Sequence, residues 1–238
     1  MTPAVAVAAR LVSMPASPSS ALRGLGSVSR NTLREQILTR LRDAVSSGEL
    51  APGTHLGEIE LADSLGVSRG TLREALRHLQ QEGLLAADSR GRLSVRVVSA
   101  ADIREIFDVR YALESLACEE ICAADDRSDA VAVLRERLDA LNAAEEFAAR
   151  VRADLAFHET LCELSGNATL LQSWQRVAGL ARAALTSGGL DVAVANMSID
   201  RHMPLVEILT EGDPDAARRF LRGHMDAAVE RLLDRVEA

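Results

Sequence analysis

Apolar residues recur every three or four positions along most of the chain, a spacing that places them on one face of a helix. The first such series predicts an amphipathic helix with apolar positions at Leu33, Ile37, Leu41 and Val45. Pro52 and Gly53 then predict a turn. After this turn, the segment from Glu58 to Leu65 predicts a short second helix that ends at Gly66, because glycine readily adopts a left-handed helix exit.

A third helix follows at once, because Ser68 is a favourable N-cap and apolar residues continue at helical spacing to about Gln81. Two short helices separated by a glycine-centred turn are the arrangement of a helix-turn-helix. Further along, two short apolar runs at Leu84–Leu85 and Leu93–Val98 flank a turn at residues 88–91. This pattern predicts a two-stranded wing.

Helical periodicity dominates the rest of the chain from Ala101, and no convincing strand is found there. We expect about six helices in this part, at residues 101–123, 128–148, 150–165, 168–187, 191–210 and 214–236. The sequence therefore predicts a mainly α fold, with an N-terminal winged helix-turn-helix plus a C-terminal all-α helical bundle.

The length of 238 residues favours two modest domains over one large one. We expect residues 1–28 to form a disordered tail, residues 29–98 a winged helix-turn-helix DNA-binding domain, and residues 99–238 an all-α domain for ligand binding and dimerisation. No run of about 18 or more apolar residues occurs, which excludes a membrane-spanning helix. Three cysteines without metal-type spacing are typical of free thiols in a reducing cytoplasm.

The charge distribution separates the two predicted domains. The net charge is −8, yet residues 30–98 carry 10 Arg against 9 acids, whereas residues 99–238 carry 15 Arg against 26 acids. The acidity is thus confined to the C-terminal part, and the total does not exclude nucleic acid as a partner. All 27 basic residues are Arg, whose planar donors pair with phosphate or guanine, although a genome-wide composition bias also explains this usage.

The third predicted helix carries a cationic face, because Arg69, Arg73 and Arg77 are spaced by four. Its N-terminus offers free backbone N–H groups where such helices contact phosphates and bases. A cationic wing tip with a glycine suits a minor groove. The candidate DNA-binding residues are Ser68, Arg69, Thr71, Arg73, Arg77, Arg90, Gly91 and Arg92. The alternative is that these arginines form only a solvated helix face.

The segment GELAPGTHLGEIELADSLGVSRGTLREALRHLQQEGLL resembles the winged helix-turn-helix of the GntR family of bacterial transcription regulators. The resemblance implies DNA contacts at Arg69, Thr71 and Arg73, with Gly91 in the wing. It also implies a bacterial cytoplasmic protein that associates with the nucleoid when bound to DNA. The sequence departs from the family pattern at two places. Fatty-acid-responsive members have an Arg at the position of Ile59, and the wing of this chain is one residue longer than is usual in the family. The operator sequence therefore does not follow from the family.

Three histidines of the predicted bundle lie on apolar helix faces and so point inward: His158, His202 and His224. Asp154 precedes His158 by one helical turn and shares its face. Nitrogen and carboxylate ligands from three helices suit a divalent transition metal such as zinc, nickel or manganese. The alternative is four hydrogen-bonded core residues. Pro204 predicts that His202 stands at a kink or near a helix start, and a change in its direction would leave a three-ligand site without it.

The pattern DLAFH, followed by histidines 44 and then 22 residues later, resembles the metal-binding subset of the FCD effector domain of FadR-like GntR regulators. So do the segments DIREIFDVRYALESLAC and SGNATL. The resemblance places Asp154 and the three histidines at the family's metal-ligand positions. It also implies that Arg110 holds an organic acid and that Asn167 lies near the metal. For Arg110 the structural alternative is a salt bridge with Glu114, one turn away.

Together these patterns indicate a ligand-responsive DNA-binding transcriptional regulator. We expect a homodimeric repressor that a small organic acid, bound near the metal, releases from a palindromic operator in double-stranded DNA. Two alternatives remain: a metal-dependent enzyme with an appended DNA-binding segment, and a constitutive DNA-binding dimer without an effector. The sequence contains no nucleophile motif and no phosphate-binding glycine loop, so we assign no catalytic residue and expect no enzyme.

Overall fold

The predicted mainly helical fold is confirmed in the computed structural model, which describes residues 32–187 and 194–236. The N-terminal part contains three helices and two strands: α1 (Leu33–Ser46), α2 (Glu58–Leu65), α3 (Arg69–Gln81), β1 (Leu85–Ala87) and β2 (Leu93–Val95). Gly66 has φ 64°, and this left-handed turn ends α2 and lets α3 begin three residues later. The predicted tail at residues 1–28 lies outside the described residues.

The wing and the helix-turn-helix share one apolar core. β1 and β2 pair antiparallel with Leu85 opposite Val95, and His55 adds a single bridge to Ser94. The inner face of α3 is fully buried, with Leu72, Ala75, Leu76 and Leu79. The predicted apolar face of α1 is buried from Ile37 onward, but Leu33 is 52% exposed because it is the first residue of the helix.

The C-terminal part contains six helices in the described residues: α4 (Ala100–Cys122), α5 (Ser128–Ala143), α6 (Phe147–Leu164), α7 (Ala168–Ser187), α8 (Ile199–Glu211) and α9 (Pro214–Val236). A capping box starts α4, in which Asp102 N–H donates to Ser99 Oγ and Ser99 N–H donates to Asp102 Oδ2, at 3.1 Å and 2.8 Å. α4 packs against α6, α7, α8 and α9, so its inward residues lie in the middle of the bundle.

The helix predicted at residues 191–210 is interrupted in the described part of the chain. Residues 194–196 are helical, residues 197–198 are not, and α8 begins at Ile199. Ser198 is extended, with φ −82° and ψ 149°, and this N-cap geometry resets the helix start. His202 therefore lies in the first turn of α8, and Pro204 lies inside the helix. Residues 188–193 are outside the described part.

The winged helix-turn-helix and the bundle contact each other directly, since α1 packs against α6 and α7 and the described residues from Leu33 onward belong to one compact unit. α7 meets the end of α3 at Gly179, where a Cβ would lie 2.3 Å from the carbonyl oxygen of Glu82. Only glycine permits this approach. Within the described ranges, no helix is both long and apolar enough to cross a membrane.

Candidate DNA-binding surface and metal centre

The N-terminus of α3 is organised by Ser68 and Thr71. Thr71 N–H donates to Ser68 Oγ at 3.1 Å, and the two hydroxyl oxygens are 2.8 Å apart. This N-cap fixes the start of the helix, where backbone N–H groups remain available for a phosphate. Both side chains therefore orient the helix end and leave it open to solvent.

Three arginines of α3 are exposed on the face opposite its apolar side: Arg69, Arg73 and Arg77. They are not equivalent, because Arg73 Nη2 forms an ion pair with Glu58 Oε2 at 2.7 Å. The hydrogen bond from Arg73 lowers the pKa of the Glu58 carboxyl, so this pair is ionised at neutral pH. Among the described residues, Arg69 and Arg77 form no ion pair. Two of the three guanidinium groups are thus available to a DNA backbone without breaking a bond.

The wing tip is held by a single carboxylate. Asp88 Oδ1 accepts hydrogen bonds from the N–H groups of Arg90 and Arg92, both at 2.9 Å, and Arg92 Nε donates to Oδ2 at 2.7 Å. Gly91 has φ 77°, which allows the tight turn between the two arginines. The side chain of Arg92 is therefore tethered to the turn, whereas that of Arg90 extends into solvent.

The three predicted histidines meet inside the bundle, from α6, α8 and α9. One ring nitrogen each from His158, His202 and His224 lies within 4.8 Å of the others, and the cluster is buried. Asp154 joins it from α6, with Oδ1 3.2 Å from His202 Nε2 and the residue only 3% exposed. The structure thus brings all four predicted residues to one place.

The outer nitrogens of two rings are already occupied. His158 Nδ1 is 2.7 Å from Glu114 Oε2, and His202 Nδ1 is 2.8 Å from the carbonyl oxygen of Ser198. Both oxygens accept hydrogen bonds, so both Nδ1 atoms carry the hydrogen and both Nε2 atoms present lone pairs. These Nε2 atoms face each other at 3.3 Å. Two lone pairs and a carboxylate oxygen directed at one buried point offer three ligand atoms to a cation.

The spacing of these atoms fits a metal ion. Ligand bonds of about 2.0 to 2.1 Å in tetrahedral geometry separate neighbouring ligand atoms by about 3.3 Å. The observed separations are 3.3 Å between the Nε2 atoms of His158 and His202 and 3.2 Å from His202 Nε2 to Asp154 Oδ1. A carboxylate behind a histidine also orients the ring and raises its basicity at metal sites, as Glu114 does for His158. The ligand atoms of Asp154, His158 and His202 therefore fit a divalent transition metal, and a ring nitrogen of His224 lies within 4.8 Å of those of the other two histidines.

Glu114 links the histidine cluster to two further side chains. Its Oε1 accepts hydrogen bonds from Arg110 Nε at 3.0 Å and from Trp174 Nε1 at 3.2 Å. Burial alone would raise the pKa of Glu114, but the electrostatic interactions and hydrogen bonds with His158, Arg110 and Trp174 outweigh burial and lower the pKa to about 2. Glu114 is therefore an anion in the middle of the bundle.

Arg110 forms the salt bridge with Glu114 that was the structural alternative to a role in ligand binding. Only part of its guanidinium is used, because Arg110 Nη2 is buried and has no hydrogen-bond partner among the described residues. Such an atom is costly to bury without an acceptor. The guanidinium therefore retains one donor for an acceptor that the protein does not itself supply.

Asn167 occupies the N-terminus of α7. Its Oδ1 accepts from Leu170 N–H at 3.1 Å, and its Nδ2 donates to Glu120 Oε1 at 3.0 Å. The side chain thus caps α7 and ties it to α4. A part in ligand binding stays a prediction.

Trp174 and Arg201 also lie in this region, and neither was predicted from the sequence. Arg201 Nη2 donates to the carbonyl oxygen of His224 at 2.9 Å, while its Nε is buried without a hydrogen-bond partner among the described residues. Burial, followed by the charge of Arg231, lowers the pKa of Arg201. Its position directly before His202 was the available signal, and for Trp174 the signal was that it is the chain's single Trp.

Two family models match the chain. Residues 33–95 match the model described as bacterial regulatory proteins, gntR family, and residues 105–227 match the FCD domain model. An uncharacterized HTH-type transcriptional regulator of Bacillus subtilis, YdhC, is 29% identical over 83% of this chain and 89% of the relative. A probable D-xylose utilization operon transcriptional repressor of Paenarthrobacter nicotinovorans is 28% identical over 84% of this chain and 88% of the relative.

Among solved structures, that of a GntR transcriptional regulator from Rhodococcus sp. RHA1 superposes with a TM-score of 0.69 at 27% identity. The alignment covers 84% of this chain and 97% of the other. The similarity thus extends through both the winged helix-turn-helix and the helical bundle.

Proposed function

The chain belongs to the GntR family of bacterial transcription regulators with an FCD domain, and we propose that it is a repressor controlled by a small organic acid. As a member of this family it is a DNA-binding transcriptional regulator and not an enzyme. The observation that carries the proposal is the set of lone pairs from His158, His202 and Asp154 around one buried point. The orphaned Nη2 of Arg110 on the neighbouring helix supports it.

DNA recognition would use the exposed face of α3 and the wing. The α3 residues would enter a major groove, and the cationic wing tip would follow a minor groove. The residues assigned to these contacts are Ser68, Arg69, Thr71, Arg73, Arg77, Arg90, Gly91 and Arg92. We further propose a homodimer on a palindromic operator, because two copies of such a helix bind two half-sites related by a two-fold axis.

Effector binding would use a divalent transition metal held by Asp154, His158, His202 and His224, with zinc, nickel or manganese as candidates. A metal with an open coordination position supplies a Lewis acid that holds a carboxylate oxygen. Arg110 Nη2 would donate to the same carboxylate, and Asn167 would contact the ligand at the N-terminus of α7. The relative described as a probable repressor supports repression as the direction of control.

The metal test compares purified wild type with the double variant His158→Ala plus His224→Ala by elemental analysis. His55→Ala is the matched control, since His55 is an exposed histidine of the DNA-binding part. We expect one metal ion per chain in wild type and in the control, and none in the double variant. No bound metal in wild type after incubation with zinc, nickel and manganese would overturn the metal proposal.

The effector test measures DNA release on a duplex selected in vitro from random sequence. Metal-loaded wild type is titrated with a panel of mono-, di- and tricarboxylates, and the fraction bound is followed by fluorescence anisotropy. We expect at least one carboxylate to lower DNA affinity in wild type and to lose its effect in the double histidine variant. If none changes the affinity, the protein is a constitutive DNA-binding dimer.

A further inference from the structure

A cleft of about 490 Å³ lies between the DNA-binding part and the helical bundle, and none of the three clustered histidines lines it. One wall comes from α1 and α3 and the other from α6 and α7. The polar and aromatic side chains that line it include Arg42, His78, Arg152, Trp174, Gln175 and Arg182. Its volume is in the range of small-molecule sites, which run from about 300 to 1,000 Å³.

Three arginines face this cleft, and two of them already have carboxylate partners. Arg42 forms an ion pair with Glu82, and Arg152 forms one with Asp43. Glu159 also lines the cleft, where its Oε1 accepts a hydrogen bond from Gln175 at 2.9 Å. The charges of Arg42 and Arg152 are thus locally balanced.

Arg182 is the exception. It is only 8% exposed, its Nη1 donates to Ser46 Oγ at 3.1 Å, and it forms no ion pair with any residue in the described ranges. Burial, followed by the charge of Arg42, lowers the pKa of Arg182 to about 10. A buried arginine normally has an anionic partner, because an uncompensated buried charge is strongly destabilising. The rest of this guanidinium is directed at a cleft that can admit a ligand.

We propose that the cleft binds the oxyanion group, phosphate or carboxylate, of a small molecule, with the guanidinium of Arg182 as its main partner. The planar fork of arginine suits both groups, since each offers two oxygens at matching spacing. A ligand here contacts side chains of both parts of the chain. Its binding therefore holds the DNA-binding part against the bundle, independently of the metal.

The test is calorimetric titration of the full chain with inorganic phosphate and, separately, with citrate at constant ionic strength. Each titration is run on metal-loaded protein, on protein stripped with a chelator, and on the His158→Ala plus His224→Ala variant. We expect saturable binding of one anion per chain in all three, and the tighter anion identifies the preferred group. Binding that needs the metal or the histidines belongs to the metal centre and overturns the proposal, as does an absence of binding.

Substitutions in the cleft locate the site. Arg182→Gln should weaken binding about tenfold or more, since a charge-assisted hydrogen bond is lost. Arg135→Gln, which removes an exposed arginine far from the cleft, should leave it unchanged. Glu159→Gln removes a negative charge from the cleft wall and should tighten binding about two- to threefold.

The Glu159→Gln variant keeps the test decisive if Arg182→Gln does not fold. Glu159 is only partly buried, and glutamine can keep its hydrogen bond to Gln175. Equal affinity in wild type and Glu159→Gln, or in wild type and folded Arg182→Gln, would overturn the proposal.

Discussion

The contact between the DNA-binding part and the bundle depends on the absence of a side chain at Gly179. A Cβ there would lie 2.3 Å from the carbonyl oxygen of Glu82 and 2.8 Å from the carbonyl carbon. These are backbone atoms, so no side-chain rotation relieves the overlap and α3 and α7 must move apart. Overpacking of this kind lowers the free energy of unfolding by about 1 to 3 kcal/mol. The gain in helix propensity on replacing glycine with alanine offsets about 1 kcal/mol of that cost.

Gly223 provides the matched control, because it also lies inside a helix and a Cβ there meets nothing within 4 Å. Gly223→Ala should stabilise the protein by about 0.5 to 1 kcal/mol through helix propensity alone. The difference in free energy of unfolding between the two variants therefore measures the cost of the steric overlap, which we expect to be about 1 to 3 kcal/mol.

The assay is urea unfolding of metal-free protein, followed by circular dichroism, with thermal unfolding as a second measurement. For a chain of this size, each 1 kcal/mol corresponds to about 2 to 4 °C in Tm. Gly179→Ala should unfold at lower urea concentration than Gly223→Ala. If the two variants are stabilised equally, α7 does not approach the end of α3 this closely and the reasoning fails.

Three further predictions concern the two sites. Arg69→Ala and Arg77→Ala should each weaken DNA binding and reduce the salt slope by about one, measured by anisotropy over a salt series; an unchanged slope would show that neither meets a phosphate. Glu114→Gln should lower metal affinity by about 10- to 100-fold in competition with a chromophoric chelator, and unchanged affinity would exclude its support of His158. Burial lowers the pKa of both His158 and His224, so the unfolded chain takes up protons first as the pH falls. Metal-free protein should therefore be fully stable above about pH 7 and lose stability on acidification from about pH 6.5, and a gain in urea midpoint between pH 7.5 and 5.5 would contradict this.

Helix positions were predictable because each depends on neighbours three or four residues apart. The start of α3 followed from Ser68 and the end of α2 from Gly66, and both act locally. The break before α8 did not follow, because Met197 and Ser198 lie within a stretch of helical periodicity where no glycine or proline marks an interruption. A local pattern thus predicts the existence of a helix more reliably than its first residue.

The inward direction of the histidines was predictable for the same reason, but their partners were not. Glu114 reaches His158 across 44 positions and Trp174 across 60. Arg182 reaches Ser46 across 136 positions. Such contacts depend on which helices pack together and on how each helix is rotated about its axis. A periodic pattern of apolar residues specifies neither of these. Nothing in the sequence distinguishes Arg182 from the other 26 arginines.

A route of hydrogen bonds leads from the histidine cluster to the edge of the cleft beside the DNA-binding part. Glu114 accepts from His158 on one oxygen and from Trp174 on the other, and the Trp174 ring lines the cleft whose opposite wall carries Arg42 of α1. A route alone transmits nothing, because a ligand shifts a conformational equilibrium only by its difference in affinity for the two states. The close approach of α7 to α3 at Gly179 is a contact that separation of the two parts would break, and we expect such a difference in affinity to arise there. Linkage then requires reciprocity: an effector that lowers DNA affinity by some factor must itself bind the DNA complex more weakly by the same factor.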